Sequence, residues 1–414
     1  MLAPESGVGL APTALIASKI HGCYRPPMTD VLQQVPLIDG PIAYRGALEV
    51  VTTEAGVLAR RLPQWTVAQY PEASMERQAT AGSGVRLAFR TAATVVELDV
   101  LTTVAMMAEG EPNPDDAGNF EITVDGVPSG VRKAPVGNVI ELDAAFQESA
   151  FVPGGPTTIR FDGLPAGAKE IEVWLPQWVK TEVAAVRADA PVDPPTATGR
   201  RVWLHHGSSI SQCNEAASPL GVWPVIAARA AGVDPVNIGL SGNCYLDPFV
   251  ARSIRDTPAD VISLKLGINF TCRATYRLRT LGPTVHGFLD TVREGHPTTP
   301  ILVVSPIACP AVERTPGPTV WRNDVFTATG NPADVAIGAL TLEVVRAELR
   351  RIVAERSKQD PNIAYLDGLD LLALHEADEF LGEGLHPTPA GYRLIGERFA
   401  HLAFGPGGAL AAAG

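Results

Sequence analysis

No apolar run in this chain approaches the roughly 20 residues that a membrane-spanning helix needs. Positive charge is also short: 33 Lys and Arg face 45 Asp and Glu, a formal net charge of −12. A surface so balanced does not gather phosphate backbones or anionic lipid, which excludes nucleic acid and membrane surfaces as expected partners. Cysteine is sparse and odd in number, five in 414 residues, so a disulfide framework is not expected. No His-x₃-His or Cys-x₂-Cys spacing occurs; neither a metal nor any other cofactor is expected. The first thirty residues lack the basic start, compact apolar core and cleavage site of a secretory signal, with Pro4, Glu5, Pro12 and Lys19 interrupting them. The expected location is therefore the cytoplasm. Aromatic residues are only 6% of the chain and form no repeat that would mark a carbohydrate-binding face.

Apolar residues, at 46%, are ample for a large core, and their texture changes along the chain. From about Leu37 to Arg187 they alternate with polar residues in short runs, as in Val95-Val96-Glu97-Leu98-Asp99-Val100 and Glu170-Ile171-Glu172-Val173-Trp174-Leu175. Such runs are strands with one wet face. Asp125-Gly126 and Asp162-Gly163 read as tight turns between antiparallel strands, and no helical period is visible in this part. A Pro-rich stretch from Ala190 to Gly199 reads as a semi-stiff linker. Beyond it, apolar runs at Val202–Leu204, Val236–Gly239, Val261–Leu266, Ile301–Ser305 and Ile363–Leu366 alternate with helical patterns. Leu342, Val345, Leu349, Ile352 and Val353 form one apolar helix face, and Ser218–Ala231 and Pro389–Phe404 also read as helices. The expected organisation is an N-terminal extension at 1–35, an all-β sandwich at 36–189, a linker at 190–199 and an α/β domain at 200–414 with five parallel strands.

In an open parallel sheet the ligand site lies beyond the carboxyl ends of the strands. Gly207-Ser208-Ser209-Ile210 follows the first strand, Gly239-Leu240-Ser241-Gly242 the second and Leu266-Gly267-Ile268-Asn269 the third, while Glu383-Gly384-Leu385-His386-Pro387 precedes the last helix. A serine on a strand-to-helix turn sits beside backbone N–H groups that have no intrahelical acceptor and can bind a developing oxyanion. Its hydroxyl needs a base, and imidazole titrates in the right range.

The order Ser, Gly, Asn, His in these four blocks resembles the SGNH hydrolases, the GDSL-like esterases and lipases, over about residues 200–404. The resemblance implies a flavodoxin-like five-stranded parallel sheet and a covalent acyl-enzyme. Ser209 would be the nucleophile and His386 the base, and the Ser209 N–H, Gly242 N–H and Asn269 side-chain amide would form the oxyanion hole. Two positions depart from the family pattern. Ser208 stands where an aspartate usually braces the turn, and Glu383 stands where an aspartate usually orients the histidine, so either Glu383 or a backbone carbonyl orients His386. A jelly-roll-like sandwich before such a domain resembles certain carbohydrate esterases that deacetylate sugars; a rigid wall beside the site is the other role open to it.

The implied substrate is a small-molecule or carbohydrate ester with a short acyl group. Acyl transfer by the same machinery and a catalytically silent glycan- or partner-binding protein are the alternatives. Arg273, Arg277 and Trp321 are further candidates for substrate contact, the last in a Pro-rich loop after the fourth strand that could rim or cover the pocket. Cys213, Cys244 and Cys272 each follow a catalytic block and are expected to fill the pocket's floor or walls, with a disulfide between two of them, or a thiol that touches substrate, as the alternative. His205 and His206 are expected to be packed, hydrogen-bonded core residues.

Overall fold

The computed structural model describes residues 32–70, 72–107, 117–143 and 146–412. Residues 1–31 of the expected extension, with His21 and Cys23, lie outside the described residues. Leu32–Gly414 form one compact unit.

Residues 33–193 build two sheets. The larger runs in the order Glu148–Val152, Asn138–Leu142, Val96–Met107, Lys180–Ala188, Gly56–Arg60, Glu49–Thr53, with Gln33–Val35 and Thr157–Phe161 added on its inner strands. The smaller runs Val192–Asp193, Arg86–Thr91, Lys169–Trp174, Asn119–Val124, Val127–Lys133, with Ala43–Arg45 on Arg86–Thr91. Alternation decides the faces. On the strand Val96–Met107, Val96, Leu98 and Val100 are buried, whereas Glu97 and Asp99 pair outward with Arg160 and Arg187, each at 2.6 Å. Apolar residues of both sheets, among them Val100 and Val186 from one and Phe89 and Val173 from the other, form one core.

Four sequence expectations need correction here. Asp125 and Gly126, with φ of 49° and 78°, do form the two-residue turn between Val124 and Val127. Asp162-Gly163 does not close a hairpin: the strands on either side of it belong to different sheets, so it starts a crossover. The pairing of Val96–Met107 with Asn138–Leu142 is parallel, a long-range choice that no local pattern encodes. A helix, Ala73–Thr80, also lies in this part. It is too short to show a period, since only Met75, Ala79 and Thr80 are buried. Finally, the segment 218–231 is split into a 3₁₀ turn at Pro219–Gly221 and a helix at Trp223–Ala231, because Pro219 and Pro224 fit only in a first turn.

The Pro-rich stretch after the sheets is docked on the β-rich part. Val192 and Asp193 pair with Thr91 and Arg90, and the Thr196 hydroxyl donates to Glu170 at 2.6 Å.

The second part is a five-stranded parallel sheet in the order Asp234–Gly239, Val202–Gly207, Val261–Lys265, Ile301–Val304, Ile363–Leu366. Strand order therefore reverses at Val202–Gly207, the topological switch point of an open α/β sheet. Helices cover both faces. Leu342–Arg356 starts with the Thr341 hydroxyl accepting from the Val344 N–H at 3.3 Å and buries Leu342, Val345, Leu349, Ile352 and Val353 as its sequence pattern requires. The Thr388 hydroxyl caps Pro389–Phe399, and a wider turn, Ala400–Phe404, finishes that segment. After the fourth strand the Pro-rich loop contains a hairpin, Thr319–Arg322 with Val325–Ala328. Trp174 of the β-rich part is buried in the same core as Trp203, Trp223 and Phe399 of the α/β part, so one apolar interior spans both.

Candidate active site

The first strand ends at Gly207, where a Cβ would stand 2.2 Å from the Ser211 hydroxyl; only glycine lets the following turn fold back so closely. Ser208 then takes the N-cap, its hydroxyl accepting from the Ile210 N–H at 3.4 Å. The bracing job left by the absent aspartate is thus done by a hydroxyl. Ser209 opens the four-residue helix Ser209–Gln212, where its own N–H has no acceptor within the helix. Cys213 ends that helix in the left-handed conformation, φ 61°, which turns the chain toward Glu215.

His386 comes from a tight loop closed by the Gly382 N–H donating to the His386 carbonyl at 2.9 Å and the Thr388 N–H donating to the Phe380 carbonyl at 2.8 Å. Within that loop the Glu383 carboxylate accepts from the His386 N–H at 3.2 Å and bonds the imidazole Nδ1. The opposite ring nitrogen, Nε2, meets Ser209 Oγ at 2.9 Å. The extra methylene of Glu383 is accommodated because the two residues are only three apart in a turn that curls the carboxylate back onto the ring. Burial works against the charged imidazole, but the Glu383 hydrogen bond and the charges of Glu215 and Glu383 outweigh it and raise the His386 pKa. Burial likewise opposes ionisation of Glu383, yet its bond to His386 brings the net pKa below the ordinary value.

Glu215 was not among the sequence candidates. Its Oε1 lies 3.9 Å from His386 Nδ1, and the buried Tyr392 hydroxyl holds its other oxygen at 2.7 Å. Glu215 sits in irregular chain past a left-handed residue, so no periodicity pointed to it.

The next two strand ends carry Gly242 and Asn269, the residues expected to complete an oxyanion hole. The Asn243 N–H donates to the Leu240 carbonyl at 3.0 Å, closing a turn in which Gly242 adopts φ +68°, a conformation suited to glycine. Asn269 follows Gly267, whose φ is +126° and whose missing Cβ would strike Pro306 and Val345 at 2.6 and 2.7 Å. The Asn269 Oδ1 accepts from the Cys244 N–H at 3.0 Å. That bond fixes which way the amide faces and leaves its NH₂ as the group free to donate.

The remaining candidates separate. The Arg273 guanidinium is exposed and reaches within 4.0 Å of where a Cβ on Gly242 would be; no ion pair engages it among the described residues. Arg277 is exposed at the N-cap of Leu278–Gly295, its N–H bonded to the Thr280 hydroxyl at 3.2 Å. Trp321, 54% exposed, stands nearly perpendicular to the ring of Phe326, and Phe326 in turn stands nearly perpendicular to the His386 ring at 6.0 Å between centroids. The Phe326 N–H also donates to the Glu383 carbonyl at 3.3 Å, so the hairpin is tied to the loop that carries His386.

Cys213, Cys244, Cys272 and Cys309 are buried free thiols, which disposes of a disulfide among these four. Burial pushes Cys244 and Cys272 up to about 12. Cys309 contacts the Gly384 carbonyl at 3.4 Å. His205 is bonded to the hydroxyls of Ser263 and Ser211 at 2.7 and 2.8 Å, and His206 Nδ1 donates to the Ile238 carbonyl at 2.7 Å. Burial lowers both imidazole pKa values, that of His206 to about 4. Among the described residues no cluster of three His, Cys, Asp or Glu side chains could hold a metal ion, and no helix is long and apolar enough to cross a membrane.

Residues 206–394 match the profile of the GDSL-like Lipase/Acylhydrolase family. No curated protein matches the chain. Among solved structures, a salicylyl acyltransferase, SsfX3, from a tetracycline biosynthetic pathway is 25% identical with a TM-score of 0.74, the match covering 89% of this chain and 95% of that one. A Bacteroides ovatus chain assigned as a GDSL-like lipase is 17% identical, TM-score 0.61, covering 89% and 96%. A family two carbohydrate esterase from Clostridium thermocellum, solved in complex with cellohexaose, is 14% identical, TM-score 0.56, covering 87% and 97%; these last two likenesses are of fold.

Proposed function

For a chain whose residues 206–394 match the GDSL-like Lipase/Acylhydrolase family, we propose a serine hydrolase that works by a two-step acyl-enzyme mechanism on a short-chain ester of a sugar or small metabolite. The observation that carries it is the contact of Ser209 Oγ with His386 Nε2 at 2.9 Å, with Glu383 on the other ring nitrogen.

Ser209 Oγ attacks the ester carbonyl carbon while its proton passes to His386 Nε2. The oxyanion collects hydrogen bonds from the Ser209 N–H, the Gly242 N–H and the Asn269 NH₂. As the carbonyl re-forms, the C–O bond to the leaving alcohol breaks and His386 returns the proton to that alcohol. Water, deprotonated by His386, then adds to the acyl-enzyme and releases the acid and free Ser209. Glu383 holds the imidazole in the tautomer with a proton on Nδ1 and stabilises the imidazolium formed in each step.

The proposed substrate class takes its lead from the carbohydrate esterases that share the fold. A second reading, transfer of the acyl group to an alcohol or amine in place of water, takes its lead from the greater identity to the salicylyl acyltransferase. It needs only a pocket that admits the acceptor and excludes water. The reading keeps Arg273 and Trp321 as substrate contacts and the protein in the cytoplasm.

Hydrolysis of a p-nitrophenyl ester series from acetate to long acyl chains, wild type beside Ser209→Ala, tests the proposal. Turnover confined to short chains and lost in the variant is expected. Turnover that survives Ser209→Ala overturns the mechanism, and product formation only with an added alcohol or amine selects the transferase.

A further inference from the structure

The nucleophile helix and the oxyanion turn are fastened together by a side chain of the α/β part that residues of the β-rich part hold in place. Gln212 stands at the centre. Its Oε1 accepts from the Ser241 N–H at 2.9 Å, one peptide before Gly242, and its Nε2 donates to Gln78 Oε1 at 2.7 Å. Its carbonyl accepts from the Ser83 hydroxyl at 2.8 Å. Ser83 also accepts from Asn237 Nδ2 at 2.9 Å, and that same amide donates to the Ser211 carbonyl at 2.8 Å.

Arg61 completes the arrangement. It is fully buried and among the described residues has no carboxylate partner. Its donors go to four carbonyls: Gly239 at 2.5 Å and Asn237 at 3.2 Å on the second parallel strand, and Ala81 at 2.7 Å and Gln78 on the β-rich side. A buried guanidinium without a counter-ion is costly, and burial lowers its pKa to about 9. Its fan of donors is what joins the strand end before Gly242 to the helix Ala73–Thr80.

We infer that Arg61, Gln78 and Ser83 are positioning residues that set the spacing between Ser209 and the Gly242 N–H, so that the β-rich part tunes the oxyanion hole from outside the parallel sheet. An oxyanion donor acts only if it is held at hydrogen-bonding distance from where charge develops, and small displacements of such groups cost rate rather than substrate binding. The inference rests on the acyl-enzyme reading above.

Arg61→Met would take a donor from four carbonyls and risk the fold, so the test uses Gln78 and Ser83. Gln78→Met keeps the length and helix propensity of the side chain but removes the acceptor for Gln212; Gln78→Glu keeps the acceptor. With p-nitrophenyl acetate, kcat of Gln78→Met should fall about tenfold or more with KM within about twofold, part of the hundredfold or greater loss known for a whole donor. Gln78→Glu should restore kcat to within about twofold of wild type, a rescue that lost packing would not give. Ser83→Ala, a smaller change, should lower kcat in the same way with its melting temperature nearly kept. Equal kcat in wild type and Gln78→Met, or a Gln78→Glu enzyme as slow as Gln78→Met, overturns the inference alone. A wild type that turns over no ester and takes no label from a serine-directed phosphonate overturns the acyl-enzyme reading and this inference with it.

Discussion

The imidazole of His386 faces two carboxylates, and separating their contributions gives a quantitative test of the base. Glu215 Oε1 lies 3.9 Å from Nδ1 and the Glu215 side chain is 40% exposed. Coulomb's law at that distance gives about 4 kcal/mol at an effective dielectric of 20 and about 1 kcal/mol in water. Solvent reaches Glu215, so the lower end applies. Removing an anion beside an imidazolium makes it a stronger acid. Glu215→Gln, which keeps an oxygen for Tyr392, should therefore move the acidic limb of kcat/KM to lower pH and alter the plateau less than about threefold. Glu383→Gln loses a charge-assisted hydrogen bond, about 1.5–3 kcal/mol or some 10- to 150-fold in rate. If Glu215 stands in for the missing carboxylate, the double variant should fall further than the product of the singles, toward the roughly 10⁴-fold loss of a triad stripped of its acid. Rates on p-nitrophenyl acetate between pH 5 and 9 measure all three. An acidic limb unmoved in Glu215→Gln, or a full 10⁴-fold loss in Glu383→Gln with nothing added by the second substitution, would refute the reasoning.

Asn269→Ala should lower kcat by about two to three orders of magnitude with KM little changed, read from steady-state kinetics on the same ester. Gly267→Ala places a methyl about 2.6 Å from Pro306 at φ +126°; a loss of stability of at least about 1–3 kcal/mol is expected in denaturant titration. Arg273→Ala should raise KM severalfold for esters that carry an anionic group and leave neutral esters unaffected, which a paired comparison of succinyl and butyryl esters would measure.

The parallel sheet was legible in the sequence because strands buried on both faces are rich in apolar residues, as in Val202–Leu204, in Val261, Ile262 and Leu264, and in Ile301–Val304. The turn residues at their ends, Gly207, Gly242 and Gly267, were legible for a related reason: each stands where a side chain would collide or where φ is positive. The helix Ala73–Thr80 was not legible, since eight residues with two apolar contacts give no period. Glu215 escaped for a different cause. Its approach to His386 depends on the left-handed turn at Cys213 and on a hydroxyl contributed by Tyr392, 177 positions away. The hairpin of Thr319–Ala328 was hidden among prolines that read as loop, and the parallel pairing of Val96–Met107 with Asn138–Leu142 is a choice made between distant segments.

The buried thiols make the molecule its own reporter of breathing. Only a thiolate reacts with a disulfide reagent, and Cys213, Cys244 and Cys309 are each lodged against a different segment: the end of the helix Ser209–Gln212, the turn after Gly242 and the carbonyl of Gly384. Mass-resolved thiol labelling over time would therefore count how often each loop opens, one clock per loop, in the way hydrogen exchange counts openings of backbone amides. Loops that open together would label at one rate. A Cys309 that labels faster than the other two would point to the contact between its loop and the loop of His386, rather than the helix of Ser209, as the part that swings aside when substrate enters.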